Sequence, residues 1–515
     1  MVVEIELKLR IAPEHLARLK RHSLLKAYQV ARPVTRRLYN IYYDTPKLEL
    51  HKSGMALRLR HAGRKWLQTL KGGGSVRAGL HQRNEWEVPV RGPELDFDFP
   101  EAADWKAHFP SSSYKKLQPI FVTDFSRSSR MLNFQGARIE LCLDQGEVSA
   151  GQHNMPICEI ELELKSGDSR QLFELALAIL DIVPFELEVV SKAEYGYRQL
   201  SGFIGHPVKS VAPHISRTDM LADVLKMLIW SCLQNFQNNL RGAMDGTDTE
   251  YLHQMRVALR RLRVILRMTE KVKPDEALAG LYKDISDLCI ALGRIREWDV
   301  FIAGTLRPMC GRMSGHAGLQ ALLEASDRRR TVCYGTLHGA TRARELQRLL
   351  LRFAIWMNGG YWHQADWQKS RAVPAIQKFA AHSLRKLAKR FDRSGRHLDI
   401  FDAARLHLLR IAAKKLRYSA ESFAGLYNRK SSESFLAALS EVQEMLGQLN
   451  DVAVAHRLLD ELAGDAALVA RQDESVLEAV NVSRGWIAHS LDHQLDVLRK
   501  VIRRFKKQDV FWENK

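Results

Sequence analysis

Charged side chains stand at every second position near the start of the chain. Glu4, Glu6 and Lys8 alternate with aliphatic residues over the first ten positions. Successive side chains of a β-strand point to opposite faces, so this period of two predicts a strand with one ionised face. Carboxylates are hard ligands for divalent cations, and an ammonium group binds phosphate oxygens. The opening strand therefore carries the residue types that a metal-dependent reaction of a phosphorylated compound requires.

The same alternation of ionised and apolar residues returns in five later stretches. These are residues 57–60, 66–71, 83–88, 139–144 and 157–165. One strand of this kind usually turns its ionised face to water. Several such strands can bury their charges only where cationic and acidic faces meet across an enclosed space, which a closed β-sheet provides. Separate carboxylate and cation rows inside that sheet suit a divalent metal bound to a polyanion.

In this order, the motifs resemble the CYTH, or triphosphate tunnel metalloenzyme, superfamily, which includes class IV adenylyl cyclases, thiamine triphosphatases and inorganic triphosphatases. The resemblance covers about residues 1–205 and begins with an ExExK signature at Glu4, Glu6 and Lys8. Its further elements are Tyr43-Asp44-Thr45, Arg58 with Arg60, Lys71 at the end of a strand, the row Glu159/Glu161/Glu163, and residues 191–196. The resemblance implies an antiparallel eight-stranded β-tunnel that binds a triphosphate.

Charge balance separates the cationic residues from the acidic ones. A triphosphate carries about four negative charges near neutral pH, and its hydrolysis adds charge at the transferred phosphoryl group and the leaving oxygen. Cationic side chains would hold those oxygens and offset that charge. The predicted substrate-binding residues are Lys8, Arg58, Arg60, Lys71, Arg127 and Lys192.

Carboxylates repel phosphate, so the acidic residues are predicted to bind Mg²⁺ or Mn²⁺, with two ions expected. The predicted metal ligands are Glu4, Glu6, Asp144, Glu159, Glu161 and Glu163. The last three span about 13 Å along a strand, so one ion cannot bind them all, and we favour Glu161 together with Glu4 and Glu6. With Lys8, these three are the predicted catalytic residues. A salt bridge in the interior without metal contact stays open for each of them.

Two local patterns allow more than one interpretation. Residues 72–74 are three glycines that lack the GxxxxGK[ST] order of a phosphate-binding loop, and we interpret them as a hairpin turn after a strand that ends at Lys71. Arg127 and Arg130 are three apart, so both face inward only across a β-bulge. Of the two, we favour Arg127.

The second half of the chain contains an internal repeat of helical character. Residues 253–263 correspond to 407–417, and the histidine that opens each copy precedes an aspartate, Asp299 or Asp451, by 46 or 44 residues. In each copy apolar residues at spacings of three and four predict a buried seam. A basic ridge runs beside each seam and consists of His253, Arg256, Arg260 and Arg263 in one copy and of His407, Arg410, Lys414 and Arg417 in the other.

These ridges resemble the CHAD domain, a histidine-containing helical domain associated with polyphosphate binding. The resemblance covers about residues 218–510 and implies that both ridges bind inorganic polyphosphate. A solvated basic face is the alternative for each ridge. For His253 and His407, a ring held inside the helical bundle also stays open.

The full chain has 515 residues and a net charge of +19, which favours an anionic partner. We predict an α+β architecture: a tunnel domain at 1–205, a linker at 206–217, and an all-α domain at 218–515 made of two repeats, about 218–358 and 372–510. Six scattered cysteines without a CxxC pair, and the lack of any long apolar run, predict a cytoplasmic protein that does not enter the membrane, with association to polyphosphate granules as a further option.

The leading hypothesis is metal-dependent hydrolysis of inorganic triphosphate to diphosphate and phosphate, with a helical module that binds polyphosphate. The alternatives are a thiamine triphosphatase, a class IV adenylyl cyclase, and a polyphosphate-binding protein without activity. A specific nucleic-acid partner is disfavoured because no aromatic stacking platform or reading-helix motif is present. Protein partners and oligomeric state are not predicted.

Overall fold

The computed structural model describes residues 2–97, 111–202, 205–363, 367, 374–396, 403–464 and 474–513. The chain divides into two compact units, Met1–Gly205 with Arg344–Gly360, and His206–Ala343 with Tyr361–Lys515. The first unit is built on a β-barrel and the second is helical. The start of the second repeat, expected at residue 372, lies outside the described residues.

Eight antiparallel strands close into the barrel. They are β1 Val2–Arg10, β2 Val34–Asp44, β3 Met55–Ala62, β4 Lys65–Arg77, β5 Leu80–Val90, β6 Gln118–Phe134, β7 Ala137–Ala150 and β8 His153–Ser166. Their order is β5-β4-β3-β2-β6-β7-β8-β1, and pairing of β1 with β5 closes the sheet. A two-residue strand, β9 Glu186–Leu187, pairs with the end of β1. The predicted fold, a closed eight-stranded barrel followed by a helical domain, is confirmed.

The alternation in the strands separates a charged inner face from an apolar outer face. In β3, Arg58 and Arg60 face the interior, whereas Leu57 and Leu59 are almost fully buried on the other side. The helices of this unit are α1 Pro13–Arg21, α2 Ser23–Tyr28, α3 Glu49–Lys52, α4 Arg170–Ile182 and α5 Lys192–Leu200. A slip of one residue would exchange the charged and the apolar face of a strand, so the register is strongly specified.

The glycine run at 72–74 does not form the expected hairpin turn, and that prediction is wrong. β4 continues through the run to Arg77, and its pairing with β5 shifts register there, which is a β-bulge. Gly74 has a φ of +94°, and a Cβ atom on it would lie 1.9 Å from the carbonyl oxygen of Gln82. The turn comes later, where Ala78 and Gly79 both have positive φ. The glycines therefore allow two strands to approach closely.

The described part of the second unit is mainly helical. Its α-helices are α6 Leu221–Asp245, α7 Thr249–Val272, α8 Glu276–Phe301, α9 Arg307–Arg312, α10 Ala317–His338, α11 Ala340–Met357, α12 Ile376–Ser394, α13 Ala403–Phe423, α14 Arg429–Ala463 and α15 Glu474–Phe505. Most of α11 belongs to the first unit. No helix of the described chain has an apolar stretch long enough to cross a membrane.

The two predicted seams are buried in α7 and α13. In α7, the buried residues are Leu252, Met255, Leu259, Leu262 and Leu266. In α13, Leu409, Ala413, Leu416 and Ala420 are buried, and Leu406 is half-buried. The spacing of three and four therefore identified the core-facing side of both helices.

Gly196 allows α5 to pack closely against β6. A Cβ atom at this position would lie 2.4 Å from the ring of Phe121, which is itself stacked on Tyr42 at a centroid distance of 4.5 Å. We expect Gly196→Ala to lower the free energy of unfolding by about 1–3 kcal/mol, because overpacking forces the ring to move. Thermal and denaturant unfolding would measure this loss. Gly92→Ala is the control, since nothing lies within 4 Å of a Cβ there; equal stability of both variants would contradict the expectation.

Candidate active site

The barrel interior contains a cavity of about 480 Å³ whose walls are mainly ionisable. Nine lysines and arginines line it: Lys8, Arg36, Arg58, Arg60, Lys71, Arg83, Arg127, Lys165 and Lys192. Seven glutamates line it as well: Glu4, Glu6, Glu85, Glu87, Glu140, Glu161 and Glu163. All six predicted substrate-binding residues are among them. Of the predicted metal ligands, only Asp144 and Glu159 are not in the lining, and both are buried in contact with Lys192.

Lys192 joins three buried carboxylates. Its Nζ lies 2.7 Å from Asp144 Oδ2 and 2.9 Å from Glu161 Oε1, and it also contacts Glu159. One carboxylate oxygen from each of these three residues lies within 4.8 Å of the others, the one such trio in the described chain. Burial by itself would raise the pKa of Glu161, but Lys192, Lys8 and nearby Arg127 hold it well below its usual range. Lys192 and Arg127 likewise lower the pKa of Asp144 despite its burial, whereas burial raises the pKa of Glu159 to about 7. Surrounding cations therefore hold Asp144 and Glu161 in the charged state.

This trio differs from the set favoured from the sequence, which combined Glu161 with Glu4 and Glu6. Strand register explains the difference. Asp144 lies directly opposite Glu159 in the β7–β8 pair, whereas Glu6 lies opposite Glu163 and Glu161 lies opposite Lys8 in the β1–β8 pair. An ammonium group thus stands between Glu161 and the glutamates of β1.

Arg127 holds the same trio from β6. Its Nε and Nη2 donate to the two carboxylate oxygens of Asp144 at 2.8 and 2.6 Å, and Nη2 also contacts Glu161. Arg130 faces away from the cavity, where its Nη2 donates to the carbonyl oxygen of Lys20 at 2.8 Å. The bidentate geometry fixes the Arg127 guanidinium group at the cavity wall.

The opening strand pairs its charges across the interior. Lys8 Nζ lies 3.0 Å from Glu6 Oε1 and also contacts Glu161. Burial opposes the charged form of Lys8, yet the two glutamates raise its pKa above the usual value. Lys71 contacts Glu4 and lies 3.2 Å from Glu85. Each charge of the ExExK pattern that faces the cavity therefore has an opposite partner.

Arg60 is a buried cationic group of the cavity whose charge is only weakly compensated. Its guanidinium group lies 4.0 Å from Glu87, and its Nε donates to Asn40 Oδ1 at 2.9 Å. Burial, together with Arg58 and Arg127 nearby, lowers the pKa of Arg60 to about 10. An anion bound beside it would relieve this repulsion.

Several cavity residues were not singled out from the sequence as functional. They are Arg36, Arg83, Glu85, Glu87, Glu140 and Lys165. The alternation at 83–88 was a usable signal for the residues of β5. Lys165 extends the alternation of Glu159, Glu161 and Glu163, and it lies 2.5 Å from Glu163 and 3.2 Å from Glu140. Glu163 is therefore paired with Lys165 and lies apart from the buried trio.

The N-terminus of α5 faces the cavity. Ser191 caps this helix, because its Oγ accepts a hydrogen bond from the backbone N–H of Glu194 at 3.2 Å. Ser191, Lys192 and Ala193 line the cavity. The positive end of a helix favours phosphate, so this terminus adds to the cationic wall.

The donor set of the trio fits a hard divalent cation. It offers only carboxylate oxygens, which Mg²⁺ and Mn²⁺ prefer, and its three oxygens lie within 4.8 Å of one another. The ammonium group of Lys192 among the same three carboxylates shows that positive charge is stabilised at this point.

The two basic ridges of the helical unit lie close enough to repel one another. Burial, with Arg260 of α7 and Arg410 of α13, lowers the pKa of Lys414 to about 6. Burial, with surrounding arginines, lowers the pKa of Arg256 to about 9 and that of His253 to about 4. These five side chains form a cluster of basic groups in which burial and mutual repulsion oppose the charged forms of Lys414, Arg256 and His253.

The outer members of the ridges are placed differently. His407 is exposed, in contrast to the half-buried His253. Arg417 lies 3.0 Å from Glu421, and the Arg263 guanidinium group lies 5.8 Å from the ring centroid of Tyr282. The structure thus brings three predicted residues of the two ridges, Arg256, Arg260 and Arg410, near Lys414 but leaves His407 at the surface.

Two family models match the chain. Residues 3–195 match the CYTH domain and residues 227–460 match the CHAD domain. The inorganic triphosphatase of Haemophilus influenzae is 37% identical over 203 residues, which cover 38% of this chain and 55% of that protein. The chain therefore spans about half the length of this curated relative.

Solved structures resemble each part of the chain. The CHAD domain from the plant Ricinus communis is 31% identical and covers 58% of this chain and 96% of its own, with a TM-score of 0.48. HpAC1 from Hippeastrum, described as having a dominant triphosphatase activity, is 18% identical and covers 39% of this chain and 97% of its own, with a TM-score of 0.30.

Lys192→Met would leave the buried trio without one of its cations. We expect a loss of about 3–5 kcal/mol in the free energy of unfolding at pH 7, as for other broken buried ion pairs. The loss should shrink as the pH falls, because protonation then neutralises carboxylates whose pKa values have risen in the folded variant. Denaturant unfolding at pH 5 and pH 7 measures both effects. Lys192→Arg keeps the charge as a control, and a pH-independent loss would contradict the assignment.

Proposed function

We propose that this chain, which carries a CYTH domain followed by a CHAD domain, hydrolyses inorganic triphosphate to diphosphate and phosphate inside its barrel and binds inorganic polyphosphate on its helical unit. The main support for hydrolysis is that one cavity combines cationic and acidic side chains, and that Glu161 of its lining belongs to the buried carboxylate trio. The identity of 37% to an inorganic triphosphatase supports the same reaction.

The charge of the cavity supports metal dependence. Nine cationic side chains face seven glutamates in the lining, and Asp144 and Glu159 behind the wall make the acidic count equal. A triphosphate would add about four negative charges to this neutral set. Two Mg²⁺ or Mn²⁺ ions would offset that charge, and the carboxylates of Asp144, Glu159 and Glu161, with Glu4 and Glu6, would hold them. When bound, such an ion stabilises phosphate charge and makes a coordinated water more acidic.

The cationic side chains would bind and orient the phosphate chain. Arg58, Arg60 and Lys71 approach the cavity from two neighbouring strands, and Lys192 and the N-terminus of α5 approach it from another element. These groups are already fixed by carboxylates, so they need little reorganisation when charge develops on the leaving oxygen. An anion would stabilise the charged form of Arg60, which burial, Arg58 and Arg127 oppose.

The aromatic residues of the lining favour an inorganic substrate over a nucleotide. They are Tyr42 and Phe125. Tyr42 is stacked on Phe121, and the cationic groups of Lys192 and Arg127 lie 5.0 and 5.6 Å from the ring centroid of Phe125. Within the described lining, each of these rings therefore already has a ring or a cation as a neighbour. A thiamine triphosphatase or an adenylyl cyclase remains the alternative that activity on those substrates would favour.

Glu6→Gln tests the hydrolase. We expect purified protein with Mg²⁺ or Mn²⁺ to release phosphate from triphosphate, and Glu6→Gln to lower kcat/KM by roughly 10²–10³-fold, because a charge that organises the reacting groups is lost. Polyphosphate binding should persist in this variant. Glu147→Gln, an exposed glutamate of β7, is the control. If the wild-type protein hydrolyses no triphosphate compound, the alternative of a polyphosphate-binding protein without activity stands.

The protonation of Lys414 provides a test of polyphosphate binding, because it predicts how the affinity depends on pH. The crowding of Arg260 and Arg410 around Lys414 supports a polyanion site, because bound phosphate would offset their repulsion. Its pKa of about 6 means that binding above this pH requires uptake of a proton. Affinity should therefore fall as the pH rises from 6 to 8, by at most about tenfold per unit for one linked proton.

Lys414→Arg separates this effect from general screening. Arginine stays charged over the whole range, so this variant should lose most of the pH dependence while still binding polyphosphate. His253, with a pKa of about 4, stays neutral over the same range. Titration calorimetry at fixed salt measures both affinities. Equal pH slopes for the two proteins would contradict the role of Lys414.

A further inference from the structure

Most of helix α11 is part of the same compact unit as the barrel, although a long stretch of sequence separates the two. Its residues from Arg344 onward are part of the same compact unit as the eight strands. Arg344 donates to the carbonyl oxygen of Leu180 at the end of α4, and Arg348 Nη2 lies 2.6 Å from Asp181 Oδ1. These two arginines satisfy the C-terminal end of α4, where cationic groups are stabilising.

Gln347 lies between these arginines on the same face of α11. Its Oε1 accepts a hydrogen bond from the backbone N–H of Leu187 at 3.0 Å, and the side chain is 5% exposed. Arginine side chains only donate hydrogen bonds. Of these three side chains of α11, Gln347 is thus the one that can accept a hydrogen bond from a backbone N–H.

The segment held by Gln347 is bonded directly to the strand that carries Lys8. Leu187 pairs with Leu9 of β1. The backbone N–H of Glu188 donates to the carbonyl oxygen of Lys8 at 2.8 Å. Gln347 therefore binds Leu187, and the next residue, Glu188, binds the backbone of Lys8.

Glu188 extends the same connection to Lys192. Its buried carboxylate accepts hydrogen bonds from the backbone N–H of Val190 at 2.9 Å and from the Tyr195 hydroxyl at 2.5 Å. Tyr195 lies in α5, which begins at Lys192. One short segment, residues 186–190, thus contacts both the backbone of Lys8 and the helix that begins at Lys192. Gln347 anchors this segment from outside the cavity.

We infer that Gln347 is a positioning residue for the active site: by anchoring Leu187, it keeps Lys8 and Lys192 in register with the buried carboxylates. The inference rests on the proposed triphosphate hydrolysis. Gln347 is not part of the cavity lining, so it acts through the backbone of the segment and touches no reacting atom. A displacement of about 1 Å in a positioned group can cost on the order of 10²-fold in rate.

Full-length variants at this position test the inference. Gln347→Met has a similar length but no acceptor, whereas Gln347→Glu keeps an oxygen for the Leu187 N–H beside two arginines. We expect Gln347→Met to lower kcat for triphosphate by roughly 10–10²-fold with a smaller change in KM, and Gln347→Glu to restore kcat to near the wild-type value. Tyr195→Phe removes the hydroxyl that donates a hydrogen bond to Glu188, and it should lower kcat in the same way.

Gln443→Met is the matched control. Gln443 is another buried glutamine, 8% exposed, whose Nε2 donates to the carbonyl oxygen of Ala413 at 2.7 Å in the helical unit. The same substitution there should lower the melting temperature but leave triphosphate hydrolysis unchanged. Melting temperatures of all variants separate a loss of stability from a loss of rate.

The outcomes separate the two proposals. Suppose that the wild-type protein is active. If Gln347→Met keeps the wild-type kcat, or if its kcat falls no further than that of Gln347→Glu or Gln443→Met, the positioning role is wrong and the hydrolase stands. If Gln347→Met does not fold, an unchanged kcat in Tyr195→Phe overturns the role instead. If the wild-type protein does not hydrolyse triphosphate, the proposed function fails and this inference fails with it.

Discussion

The barrel depends on mutual neutralisation of charges that are buried together. Three cations, Lys8, Arg127 and Lys192, contact a group of three carboxylates. These carboxylates belong to Asp144, Glu159 and Glu161, and all three are buried. Any one of these groups would cost several kcal/mol if it were buried without a partner. The closed sheet is therefore stable only because its acidic and cationic strands face each other.

Because the charged side chains of the interior are already paired, each can exchange its side-chain partner for a bound ion of the same charge. In the proposed function, a bound phosphate chain would take the place of carboxylates beside the cations, and divalent ions would take the place of cations beside the carboxylates. Total charge stays near balance through such an exchange, so the wall needs little movement. The short segment at 186–190 matters in this setting because it holds two of the ammonium groups where the exchange would take place.

The sequence was sufficient for the architecture and for the direction of each charged face. A period of two in six stretches predicted a closed sheet, and the spacing of three and four in α7 and α13 predicted their buried seams. The sequence did not predict which residues of neighbouring strands lie opposite each other. The grouping of Asp144 with Glu159 follows from direct pairing of β7 and β8, and the glycine run became a bulge because the adjacent strand approaches it closely.

The repeated helices show a second limit of sequence patterns. His253 and His407 head equivalent ridges, yet one is half-buried among arginines and the other is exposed. Local spacing is the same in both copies, so the difference comes from the neighbouring helices that pack on each copy. A repeat therefore predicts the local structure of its members more reliably than their surroundings.

The first unit is discontinuous along the chain, since residues 344–360 complete it. During synthesis, a ribosome that has released all eight strands has not yet made α11, so the barrel must wait for much of the helical half before its last element can dock. Assembly of the two halves is thus interleaved in time, and the nascent barrel exists for that interval without Gln347 against Leu187.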